Sequence, residues 1–291
     1  MLLTGCAWGQ NGTLMDSLHH LRFTTLISFI QVAGLTDTLN GRGPFTLFAP
    51  NNHAFIGLKR DVFNRMKSDP SFLTAIFKYH IVNGSSISST DLQVNEKMIP
   101  SMEGRSIRLN HFLHNGHSLV GGVRLYNSGH NATNGVIHEI GGVMVPPVGS
   151  VVDVINNDPE LSTLKLVVQS AGLTMFLQDQ NPITMFAPTN RAFQDRGDSF
   201  VQGLIKQPAL LSTLLKYHMI PGSLWADGFH QQMLETFDAN DKLRLHRFYF
   251  LDYEVDNAPI EMMDISATNG VVHKIGGVLI PSSIRDQVTS L

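Results

Sequence analysis

Two Tyr-His pairs, Tyr79-His80 and Tyr217-His218, are the residues whose types first suggest chemistry. An imidazole can relay a proton, ligate a metal or hold a hydrogen bond in a core. The spacing around each pair decides among these. Phe72, Leu73, Ile76, Phe77 and His80 fall on one helical face, as do Leu210, Leu211, Leu214, Leu215 and His218. Both rings therefore belong to a buried stripe, where polar atoms need partners. Three further histidines, His111, His114 and His117, recur at every third position. Metal binding at that spacing needs a helix or a rigid turn, and Asn115-Gly116 interrupts the segment with no carboxylate close by. The expectation is a flexible, solvated loop. His19 and His20 point to different helix faces and cannot chelate together. No nucleophile elbow, phosphate loop or dinucleotide fingerprint is present, so no catalytic residue, metal or cofactor is expected.

The elements that carry these residues occur twice. Phe45-Thr46-Leu47-Phe48-Ala49-Pro50-Asn51 returns as Ile183-Thr184-Met185-Phe186-Ala187-Pro188-Thr189. Ala132-Thr133-Asn134-Gly135-Val136-Ile137-His138 returns as Ala267-Thr268-Asn269-Gly270-Val271-Val272-His273. Phe48 and Phe186 stand 138 positions apart, as do Tyr79 and Tyr217, whereas Asn134 and Asn269 stand 135 apart. The copies keep register through their first halves and then differ by a short surface-loop deletion. A period this long is a domain, not a solenoid unit of about 20–50 residues. The two copies are expected to superimpose, each with its own core.

Within a copy, an apolar helical stretch spans about 17–39 and a short strand covers Phe45–Phe48. Asn51-Asn52 caps the next helix, and Asp69-Pro70 starts another that is expected to run to Gly84. The second half alternates like strands at Ile107–Asn110 and Leu243–His246. Asn134-Gly135 and Asn269-Gly270 read as hairpin turns at positive φ, and Val143–Val145 reads as a further strand. Helices first and strands later make each copy α+β. The predicted boundaries are 1–16 for a signal remnant or disordered N-terminus, 17–146 and 149–283 for the domains, and 284–291 for a tail.

Composition excludes several classes. A net charge of -3 and the absence of a Lys/Arg cluster argue against nucleic acid as partner. No apolar run reaches the ~18 residues of a transmembrane helix. One cysteine, Cys6, rules out an intrachain disulfide. Ala7 and Gly9 form a small-x-small cleavage pattern, while Leu3-Thr4-Gly5-Cys6 resembles a bacterial lipobox with Cys6 as the lipidated residue. Asn11, Asn83 and Asn131 stand in glycosylation sequons.

The Phe-Ala-Pro block, the Tyr-His pair and the Thr-Asn-Gly-Val-(Ile/Val)-His block, co-ordered and present twice, resemble the fasciclin domain. The chain is similar to a two-domain segment of the animal matrix proteins of the transforming-growth-factor-β-induced protein and periostin family. The resemblance implies a helical layer packed on a wedge of β-strands. It implies a secreted, matrix or cell-surface adhesion protein with no enzymatic activity, whose partners are integrin-type receptors or matrix proteins. Glycosaminoglycan binding and a lipid-anchored bacterial surface protein are the alternatives. Tyr79, His80, Tyr217 and His218 resemble a Tyr-His motif that the family links to integrin binding, a role that here could act only through the scaffold. Asp264-Ile265 matches the Asp-Ile pair of the integrin-binding stretch in those matrix proteins. A carboxylate there could complete a receptor's divalent-metal coordination sphere. Copy one has Gly129-His130 at the matching positions, so the site is expected in copy two alone.

Overall fold

The computed structural model describes residues 12–247 and 252–290. The chain forms two compact units that part between Pro146 and Pro147. Each contains a seven-stranded sheet and a layer of short helices.

In copy one, helices α1 (Leu14–His20), α2 (Thr24–Val32) and α3 (Thr36–Asn40) replace the single long helical stretch expected from periodicity. Arg22 at φ 61° and Gly34 at φ 69° turn the chain between them, so the apolar rows of three short helices meet one core. Strand β1 (Phe45–Pro50) follows, then a 3-10 turn, Asn52–Phe55, capped by Asn51 accepting from Ala54 N–H at 2.9 Å. Helices α4 (Arg60–Ser68) and α5 (Pro70–Tyr79) come next, and Asp69 caps α5 by accepting from Phe72 N–H at 3.0 Å. Helix α5 stops at Tyr79, with His80 as its C-cap, rather than at Gly84. Strand β2 (Ile81–Asn83) intervenes. The remaining strands are β3 (Lys97–Pro100), β4 (Ser106–Phe112), β5 (His117–Val120), β6 (Val123–Ala132) and β7 (Gly135–Ile140).

Copy two repeats the plan. Helices α6 (Val151–Asn157), α7 (Ser162–Ser170) and α8 (Thr174–Asp179) precede β8 (Ile183–Pro188). Helices α9 (Asn190–Gln194), α10 (Asp198–Ile205) and α11 (Pro208–Tyr217) lead to β9 (Met219–Pro221). Strands β10 (Gln232–Glu235), β11 (Lys242–Arg247), β12 (Tyr253–Val255), β13 (Ala258–Ala267) and β14 (Gly270–Ile275) complete its sheet. A last helix, α12 (Arg285–Thr289), occupies the segment expected to be a tail and buries Val288 in the core. Likewise α1 begins at Leu14, so residues expected to precede the domain belong to it: Leu14 and Met15 are buried. The rest of the expected N-terminal segment, with Cys6 and Asn11, lies outside the described residues.

Both sheets have one strand order. It runs β2-β1-β7-β6-β5-β4-β3 in copy one and β9-β8-β14-β13-β12-β11-β10 in copy two. All neighbours are antiparallel except β1 with β7 and β8 with β14, which are parallel. The parallel pairs explain the Phe-Thr-Leu-Phe-Ala-Pro run. Strands β1 and β8 are buried at every residue, and a strand covered on both faces reads as continuously apolar. Phe45, Leu47 and Ala49 pack with the helices, while Phe48 packs with Ile107, Leu109 and Val120 from the strand-rich side.

The Asn-Gly dipeptides do join antiparallel strands, β6 to β7 and β13 to β14, but at ordinary φ. Their chemistry is different from that expected. Asn134 Oδ1 accepts from Leu14 N–H at 2.8 Å, and its amide donates to the carbonyls of Leu39 and Gly41. Asn269 does the same with Val151, Leu177 and Gln180. One side chain thus ties the start of the first helix to the end of the third. The glycine permits close approach: a Cβ on Gly135 would stand 2.3 Å from the Phe45 carbonyl oxygen, and on Gly270 only 1.8 Å from that of Ile183. Val143–Val145 is not a strand but an irregular return segment that buries Val143 and Met144.

Gly270→Ala is therefore expected to lower the stability of copy two by on the order of 2–4 kcal/mol, because backbone rather than a flexible side chain must move. Denaturant unfolding checks this, and an unchanged midpoint would contradict it.

Candidate functional site

His80 and His218 are wholly buried, as the apolar stripe requires. Met144 N–H donates to His80 Nε2 at 3.0 Å, so the ring proton sits on Nδ1 and goes to the Ile76 carbonyl at 2.8 Å. Leu279 N–H and the Leu214 carbonyl repeat these distances around His218. Burial pushes both imidazoles down to about 4. Tyr79 and Tyr217 are buried beside them. Their hydroxyls donate to the Ser106 and Lys242 carbonyls at 3.1 and 3.2 Å, and Tyr217 also bonds Asp256. The four Tyr-His side chains cannot reach a receptor directly in the folded domains.

A second histidine in each copy was not singled out from sequence. His138 on β7 and His273 on β14 are also fully buried and stack on Phe48 and Phe186, with centroids 5.7 and 5.6 Å apart. Their tautomer is the opposite one. His138 Nδ1 accepts from Gly129 N–H at 3.2 Å, and its Nε2–H donates to the Ile87 carbonyl at 2.8 Å. His273 Nδ1 accepts from Asp264 N–H at 3.2 Å, with Leu224 as the acceptor at 2.8 Å. The acceptor loops are pinned by the buried threonine of the Phe-Ala-Pro block. Thr46 Oγ1 donates to the Ser85 carbonyl and accepts from Ile87 N–H. Thr184 does so with Gly222 and Leu224. Burial lowers the His138 pKa and brings His273 to about 4.

These histidines hold a bulge at the surface. The β6–β7 and β13–β14 registers slip on either side of Ser128 and Met262. In copy one the N–H donor to the histidine is Gly129 at φ 86°; in copy two it is Asp264 at φ 62°. Left-handed backbone suits glycine and is tolerated by Asp and Asn. Asp264 is exposed, and its Oδ1 accepts from Ala226 N–H at 2.8 Å. No described residue bonds Oδ2. Atoms crowding the carboxyl push its pKa up to about 6; the Ala226 hydrogen bond opposes the rise and Asp227 adds to it. The residue keeps solvent contact, which limits that effect. Ile265 turns inward against the copy-two core, while Met262 and Met263 flank the acid at 37% and 36% exposure.

Other expected sites are placed as follows. His111 and His117 lie on strands β4 and β5, not in a flexible loop, and bond to Ser118 and Arg124. Among the described residues no group of three or more metal-ligating side chains gathers. Asn83 and Asn131 are exposed at strand ends.

The fasciclin-domain family model matches residues 21–146 and 159–281. The chain belongs to the fasciclin-domain family. It is 27% identical over 272 residues to the transforming growth factor-beta-induced protein ig-h3 of Sus scrofa, covering 90% of this chain and 38% of that protein. Human periostin matches at 27% over 277 residues, 91% of this chain and 32% of periostin. The chain thus spans about a third of the length of these relatives. Protein sll1735 of Synechocystis is 30% identical over 131 residues, 97% of its length and 45% of this chain. Among solved structures, a FAS1 domain pair from the insect cell adhesion molecule fasciclin I covers 90% of this chain at 17% identity, with a TM-score of 0.43.

The buried histidines set an acid limit on the fold. Their folded pKa lies near 4, below an unfolded value near 6.5, so the unfolded chain binds the extra protons. The stability they contribute is complete above about pH 6.5 and is lost as pH falls toward 4, on the order of 3 kcal/mol for each histidine. Denaturant titrations at stepped pH should show this loss. His80→Ala should lower stability at neutral pH by roughly 1–3 kcal/mol, because Met144 N–H is left without its acceptor. Equal unfolding free energies at pH 5 and 7, or an unchanged midpoint for His80→Ala, would contradict the assignment.

Proposed function

We propose that the chain is a non-enzymatic adhesion module of an extracellular matrix or cell surface, and that copy two engages an integrin-type receptor through Asp264. The observation that carries this reading is a carboxylate fixed by one oxygen and open at the other. The left-handed bulge, the His273 hydrogen bond and the Ala226 hydrogen bond set the position of Asp264. A carboxylate so held loses little freedom when it ligates a receptor-bound divalent cation through Oδ2. Met262 and Met263 supply adaptable apolar contacts beside it. Ile265 acts as the inward anchor of the pair, and the Tyr-His side chains act through the scaffold. The family relationship to ig-h3 and periostin supports secretion and an adhesive role. No helix among the described residues is long and apolar enough to cross a membrane. Asn83 and Asn131 are the glycan acceptors of this reading.

A glycosaminoglycan partner is favoured less. Arg108 is buried against Glu96, Lys242 pairs with Glu235, and Arg105 pairs with Glu103, so these cations carry their own counter-charges. An anionic polymer needs an open basic track.

Asp264→Asn keeps an oxygen for Ala226 N–H and tolerates positive φ, but removes the charge. It should reduce cell attachment to the purified chain while leaving the thermal midpoint nearly unchanged. Isolated copy one, with Gly129 at the bulge, should support less attachment than isolated copy two. Wild-type attachment should also weaken on acidification, as Asp264, whose pKa is raised above the usual carboxylate value, takes up its proton. Equal attachment by the two copies, or by wild type and Asp264→Asn, would remove the site while leaving the fold untouched.

A further inference from the structure

The two copies differ most sharply at one position of the parallel pair. The register sets Ala49 opposite Glu139 in copy one and Ala187 opposite Lys274 in copy two. Lys274 is buried, and its Nζ reaches Asp158 at 2.5 Å and Glu160 at 2.6 Å. Copy two thereby surrounds this cation with two carboxylates of its own. Glu139 is held differently. Its Oε1 accepts from Asn51 Nδ2 at 3.0 Å and its Oε2 from Asn127 Nδ2 at 2.8 Å, so both its partners are neutral amides. Met262 and Ile265 stand in copy two where Asn127 and His130 stand in copy one.

Two adjoining clefts of about 450 and 250 Å³ share Asn51, Asn127 and Glu139. His53 and Tyr126 line the larger; Arg22 and His130 border the smaller. Tyr126 is 57% exposed. The edge of its ring meets Gly141, where an added Cβ would come within 2.2 Å of Cε2, so a side chain there would have to displace the ring. Arg124 sits 5.5 Å from the ring centroid.

We propose that the larger cleft of copy one binds an uncharged saccharide. A sugar hydroxyl both donates and accepts, and a vicinal pair needs donors and acceptors side by side in fixed orientation. Asn51, Glu139 and Asn127 form such a row: each carboxylate oxygen keeps a lone pair and each amide keeps a second N–H. The amides lock the carboxylate in place before a ligand arrives, so little ordering remains to be done. The exposed Tyr126 ring offers a flat apolar surface for the C–H face of a pyranose. The larger cleft falls within the roughly 300–1,000 Å³ of small-molecule sites. Glu139 is the one carboxylate among its lining residues, and its fixed negative charge beside the two amides disfavours an acidic sugar, while Arg124 is placed over the Tyr126 ring. This site is separate from Asp264 and stands whether or not copy two binds a receptor.

The test is a titration of the full chain with neutral mono- and disaccharides, with glucuronate as the charged counterpart, read by NMR of the side-chain amides. Shifts should appear at Asn51 and Asn127 and stay absent at Asn190 of copy two. Millimolar affinity is expected for so open a cleft. Tyr126→Ala should weaken binding by about tenfold, a loss of about 1.4 kcal/mol, with an unchanged thermal midpoint. No shift with any neutral sugar, equal binding of glucuronate, or shifts produced only by a lysine- or arginine-containing peptide would each overturn the proposal.

Discussion

The imidazole of His80, and that of His218 in the second copy, joins the last turn of a helix to a return segment that has no secondary structure of its own. One ring nitrogen donates to the helix at Ile76 or Leu214, and the other accepts from Met144 or Leu279. The bond accepted from Met144 or Leu279 requires a neutral ring, whereas the donation to the helix carbonyl does not. A charged ring would lose its acceptor and place an ion in an apolar core. The return segment does not join the sheet, whose strands run from β2 to β3 in copy one and from β9 to β10 in copy two. Its buried N–H therefore has to find a side chain, and the imidazole offers an acceptor at that depth.

A second imidazole in each copy couples this interior to the surface. His138 and His273 run from a pinned loop on one side to a left-handed bulge on the other. The backbone of the bulge is common to both copies, while its side chain is free to vary. Gly129 leaves the position without a side chain; Asp264 places a carboxylate there. The face beyond it diverges in the same manner, with a carboxylate-paired Lys274 in one copy and an amide-held Glu139 in the other. One skeleton thus presents two unlike surfaces, and function is to be sought where the copies differ rather than where they agree.

Much of this was legible in the sequence. The repeated blocks located two α+β domains, Asp69-Pro70 started a helix, and the apolar stripe buried the Tyr-His rings. What stayed hidden depended on contacts remote in sequence. Periodicity could not reveal that three helices share the stretch before β1, because a turn at Arg22 needs only one unusual φ. The Asn-Gly pair read as a local turn signal, yet Asn134 serves a helix start 120 positions away, and Gly135 makes room for a parallel neighbour. His138 entered only as the last residue of the repeated Asn-Gly block, because one histidine in a buried strand carries no local pattern that marks it as a polar link. The Glu139 cleft was equally silent, since Asn51, Asn127 and Glu139 meet only through the sheet order.

The most direct test is the protonation state of the buried rings. Long-range nitrogen–proton NMR on histidine-labelled protein distinguishes the two tautomers and the imidazolium. At neutral pH, His80 and His218 should carry the proton on Nδ1, and His138 and His273 on Nε2. His80 and His218 should remain neutral down to about pH 4 and then charge together with loss of the native spectrum. An imidazolium signal from either residue near pH 6 in a folded spectrum, or a proton on its Nε2, would contradict the account.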